Sequence, residues 1–69
     1  MATEDVNETS VEDYIDRHGM VHLLAMLENI CYEKAEHVQV NWQDRTMASA
    51  WRRGAARVGK AARFEDWPL

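Results

Sequence analysis

A chain of 69 residues and 8.0 kDa has room for one domain, and at this size folding buries only about 60% of the surface that the unfolded chain exposes. Leu, Ile, Val and Phe total 13 while Ala alone supplies 9. Large apolar side chains are therefore too scarce to build both a core and a sheltered pocket, and an enzyme is not expected. The net charge of −4 averages two unlike halves: residues 1–44 sum to −8, residues 45–69 to +4, and no acid stands between Arg45 and Phe64.

Residues 1–9 read as a flexible acidic leader, followed by one helical domain over 10–63 and an aromatic-acidic tail over 64–69. Met1 to Ser10 has neither the basic start nor the apolar stretch of a secretory signal. Leu23 to Leu27, five residues, is an unbroken apolar stretch far short of the roughly 20 needed to span a bilayer. The lone Cys31 excludes an internal disulfide and fits a reducing compartment, so a cytoplasmic location is expected.

A short first helix is expected from about Ser10 to His18. Thr9 and Ser10 are each followed three residues later by an acid, as at a capped helix start. Val11, Tyr14 and Ile15 share one side, and Gly19 is placed to end the helix in a left-handed conformation. The second helix spans about Met20 to Val38. At roughly 100° per residue, Met20, Leu23, Leu24, Leu27, Ile30, Cys31, Ala35 and Val38 share one arc. Lys34 sits inside that arc, either with its stem packed and its ammonium reaching water or in an ion pair with a partner.

Val38-Gln39-Val40-Asn41-Trp42 leans towards β structure and is expected to be the connection. A third helix over about Trp42 to Arg63 carries Met47, Trp51, Gly54, Ala55, Val58 and Ala62 on one arc and all six of its bases on the other. The expected fold is thus all-α: a short helix, then an antiparallel helical hairpin completed by dimerisation. Its expected core is Trp51, Leu27, Leu24, Ile30 and Val58.

Chemistry-bearing constellations are thin. His18, His22, Cys31 and His37 match no compact zinc spacing, Cys31 points along an apolar arc without a base, and no phosphate-binding glycine loop is present. No catalytic residue, metal or cofactor is expected. Two binding classes survive. A protein-binding module, a regulator or inhibitor docking on a larger assembly, would use Arg52, Arg53, Arg57 and Lys60 on a basic face, Glu28, Glu33 and Glu36 on an acidic face, and Trp67 as an aromatic anchor. In size and charge it compares with small phage and mobile-element proteins that blunt host defences. The alternative is a nucleic-acid-binding protein that sets the basic helix on phosphates. Against that alternative, the exposed face of the helix lacks Asn or Gln to read bases. A membrane partner is not expected, because the apolar arc opposite the bases is mostly Ala and Gly.

Overall fold

The computed structural model describes residues 6–68, and three helices account for all regular structure among them: α1 (Glu8–His18), α2 (Met20–Trp42) and α3 (Arg45–Ala62). Helix α1 starts earlier than Ser10. Asn7 is its cap: the Asn7 side chain accepts from the Ser10 backbone N–H at 3.0 Å, and the Ser10 hydroxyl accepts from the Asn7 N–H at 3.0 Å. Both orphan donors of the first turn are satisfied by that exchange. Residues 7–9 therefore belong to the helix start rather than to a leader, and residues 1–5 lie outside the described residues.

Gly19 separates α1 from α2. Its φ of 89° and ψ of 157° lie where an L side chain is strained, and its N–H closes α1 on the Ile15 carbonyl at 2.7 Å. Helix α2 then runs four residues past Val38, so the expected β-leaning connection is helical. Residues 39–42 are exposed, and the Asn41 side chain donates to the His37 carbonyl at 3.1 Å within the same helix. The turn is only Gln43-Asp44. Gln43 adopts the left-handed conformation (φ 53°, ψ 33°), and the Asp44 N–H reaches back to the Val38 carbonyl at 3.2 Å. Asp44 caps α3, which starts at Arg45 rather than Trp42, its carboxylate accepting from the Met47 N–H at 2.9 Å.

Helices α2 and α3 pack along most of their length as an antiparallel hairpin. The seam on α2 is Leu24, Glu28, Cys31, Ala35 and Val38, and on α3 it is Ala48, Trp51, Ala55, Gly59 and Ala62, all buried or half-buried. Spacings of three and four keep each set on one side of its helix. The α3 seam is small apart from Trp51, so the helices approach closely: the Glu28 carboxylate crosses Gly59, and a Cβ placed there would lie 2.6 Å from Glu28 Cδ. Trp51 packs on the cluster of Ala35, Val38 and Ala48.

This seam corrects the expected core. The buried hydrophobic residues are Ala35, Val38, Ala48, Ala55 and Ala62. Leu24, Trp51 and Val58 are half-buried, while Leu27 and Ile30 remain 38% and 40% exposed. Close approach through alanine and glycine fills the seam with β-carbons and leaves the larger side chains one step around each helix.

Helix α1 touches α2 but not α3, and none of its residues is buried. The described chain is a plate of 39 × 38 × 13 Å with a radius of gyration of 14.3 Å. A compact domain of this length has a radius near 11 Å, and 13 Å is about the thickness of one helix. Domains ordinarily close a core between two layers; this chain supplies one. No helix among the described residues is long and apolar enough to cross a membrane.

Candidate protein-binding surface

Two faces of the plate differ in chemistry. Viewed down the hairpin, Leu23, Leu27, Ile30 and Lys34 of α2 lie on the same side as Met47, Gly54, Val58 and the outer part of Trp51 from α3, as follows from the seam positions and 100° per residue. Leu27, Ile30 and Met47, the last 48% exposed, are open to solvent. The opposite face is polar and basic: Arg52 donates to the Gln39 side chain across it, with Arg45 alongside and Val21 and Tyr32 as scattered apolar residues. Lys34 occupies the middle of the apolar face and is exposed.

The basic residues expected to act together divide. Arg53, Arg57 and Lys60 line the outer edge of α3 around Ala56, whereas Arg52 is turned inward onto Gln39. Arg53 is steadied by a hydrogen bond to Ser49 Oγ at 2.9 Å. The acidic set divides too. Glu33 and Glu36 lie on the outer side of α2 with His37, Val40 and Asn41. Glu28 is half-buried in the seam over Gly59, so it is removed from the acidic face by the close helix approach.

Trp67 is anchored rather than loose. Its indole N–H donates to the Ala61 carbonyl at 2.7 Å, and its ring meets Phe64 edge-on at 5.3 Å. The tail thereby builds a shallow groove of Ala61, Phe64 and Trp67 rimmed by Arg57, Lys60 and Arg63. Neither family models, nor curated proteins, nor solved structures match this chain.

Sequence reasoning singled out Trp67 but not Phe64, because the groove depends on the tail folding back onto α3. A second such groove lies on α1, where Val6, Val11 and Ile15 are flanked by Glu8 and Glu12. At the elbow between α1 and α2, the Tyr14 hydroxyl lies 2.6 Å from His22 Nδ1, and the His18 and His22 rings stack at 5.2 Å. Gly19 thus brings the two imidazoles together across the break between the helices. Among the described residues, no three His, Cys, Asp or Glu side chains gather as a metal-ligand set. Cys31 is half-buried in the seam. The elbow joins α1 to α2 through packing of rings and a hydrogen bond, with Met26 Sδ 3.8 Å from the same hydroxyl.

Proposed function

We propose that this chain is a non-enzymatic protein-binding module, a small regulator whose working surface is the apolar face of the hairpin. The observation that carries it is the solvent exposure of Leu27, Ile30 and Met47 on one side of a plate a single helix thick. Apolar side chains left open on one face of a thin plate mark an interaction surface, with Lys34 standing among them. Trp51 and Val58 border it, and a partly buried tryptophan beside aliphatic residues is the composition of an interface centre. The amphipathic geometry suits a helix or hairpin laid across α2 and α3.

Affinity capture from the native host, followed by mass spectrometry, tests the proposal with paired variants. Leu27→Asp with Ile30→Asp should abolish the retained proteins, and Tyr32→Asp on the other face should leave them in place. Identical sets from all three would refute it.

A second reading, binding to nucleic-acid phosphates, is favoured by one observation: Arg53, Arg57 and Lys60 share an edge of a helix that carries no acid. It requires labelled DNA to bind at low salt, to be released steeply as salt rises, and to be lost in the triple Ala variant of those bases.

A further inference from the structure

We infer that the occupant of the apolar face is a second copy of this chain, held in a two-fold four-helix arrangement in which α1 of each copy clasps the basic edge of α3 of the other. The inference rests on the apolar face being a binding surface and names its partner.

Charge is the first argument. Helix α1 carries Glu8, Glu12, Asp13 and Asp16 against Arg17, and α3 carries five bases and no acid. Within one chain these helices cannot neutralise each other: α1 lies beside α2 and makes no contact with α3. A second copy removes that separation. Rotated by 180° about an axis parallel to the hairpin and lying in the apolar face, it places α2 over α3 and α3 over α2. Each α1, which flanks α2 on the side away from α3, then comes alongside the outer edge of the other copy's α3. The height agrees as well. Glu28 crosses Gly59, which puts Lys60 and Arg57 about 10–15 Å along α2 from Met20, and the Tyr14 hydroxyl reaches Met26 of α2, so α1 turns back along α2 towards that height.

Shape is the second argument. The α1 groove of Val6, Val11 and Ile15 is rimmed by acids, and the α3 groove of Ala61, Phe64 and Trp67 is rimmed by bases. Each is an apolar strip bordered by the charge the other lacks, the arrangement that aligns two surfaces in one register.

Area is the third. The hairpin face, about 24 Å long for 16 residues of each helix and about 18 Å wide for two packed helices, covers roughly 430 Å². That is short of the ~800 Å² per partner of a stable assembly. Each copy both gives and receives an α1 contact, and those two contacts raise the figure to about 750 Å². The α1 clasp is what brings the pair to the size of a stable dimer.

Sedimentation equilibrium over a wide range of protein concentration tests this with five proteins: wild type, Glu8→Lys with Glu12→Lys, Arg57→Glu with Lys60→Glu, the chain with all four reversals, and Ile30→Asp. Wild type should show twice 8.0 kDa with a dissociation constant that rises with salt. Either pair alone should weaken the dimer about tenfold or more, and the fourfold reversal should restore most of the loss. All of these residues are exposed, and circular dichroism checks that each variant keeps its helices. A monomer at every concentration overturns the second copy as occupant, and the capture experiment with Leu27→Asp and Ile30→Asp then decides separately whether the face binds something else. A dimer unmoved by the single reversals overturns the clasp. A dimer also unmoved by Ile30→Asp overturns the apolar face as its interface.

Discussion

Replacing Trp51 by Ala should cost about 3 kcal/mol, because one ring supplies most of the large apolar contact in the hairpin. Among the described residues, no other bulky side chain packs against the Ala35, Val38 and Ala48 cluster. A buried tryptophan covers at least ~150 Å², worth ~4 kcal/mol at ~25 cal/mol per Å². Trp51 is only partly buried, which lowers this to about 3 kcal/mol. A chain of this length has roughly 3–10 kcal/mol of stability in all, so the loss removes about a third of it or more. Urea titration followed by helical ellipticity measures the loss. Trp42, 72% exposed, provides the internal control, and Trp42→Ala should stay within about 0.5 kcal/mol of wild type. If Trp51→Ala also stays within that margin, the seam is held by its alanine contacts and the reasoning fails. The measurement belongs at a protein concentration where the chain's mass is known, since self-association adds its own stability.

Three further outcomes follow from the turns. Gln43 holds a left-handed conformation that costs a non-glycine residue about 1 kcal/mol, so Gln43→Gly should raise the urea midpoint by the equivalent of about 0.5–1 kcal/mol; a fall would show that the Gln side chain contributes more than its backbone costs. Asp44→Ala should lose about 1 kcal/mol through the bare Met47 N–H, and an unchanged midpoint would remove Asp44 as the cap. Gly19→Ala, at φ 89°, should cost about 1–3 kcal/mol or straighten α1 into α2. Proton relaxation of the Tyr14 and His22 signals would report either outcome as a broken ring contact, and an unaltered pair would refute it.

Much of the architecture was legible in the residues. Gly19, the 3.6-residue rhythm of Leu23, Leu27, Ile30 and Ala35, and the all-basic run from Arg45 place three helices and the elbow between the first two. Helix identity and charge segregation are local properties, set by side-chain spacing and by counting. The end of α2 was not legible. Val38 to Trp42 prefers extended structure alone, yet the helix runs on to the left-handed Gln43 with residues 39–42 exposed, an end that the local residue pattern did not mark.

The same limit applies to the core and the surface. Periodicity identified an apolar arc on each helix but not which part of it would meet the neighbour. Alanine and glycine on α3 let the backbones approach, which turned Ala35 inward and left Leu27 and Ile30 outside. That choice also drew Glu28 from the acidic face into the seam and folded Phe64 and Trp67 into a groove with Arg57 and Lys60. Sequence by itself determined the helices, the elbow at Gly19 and the opposite charges of the two halves. Tertiary structure decided which apolar residues remain uncovered and that α1 and α3 stand on opposite edges of α2, because helix separation and relative placement depend on contacts between distant residues.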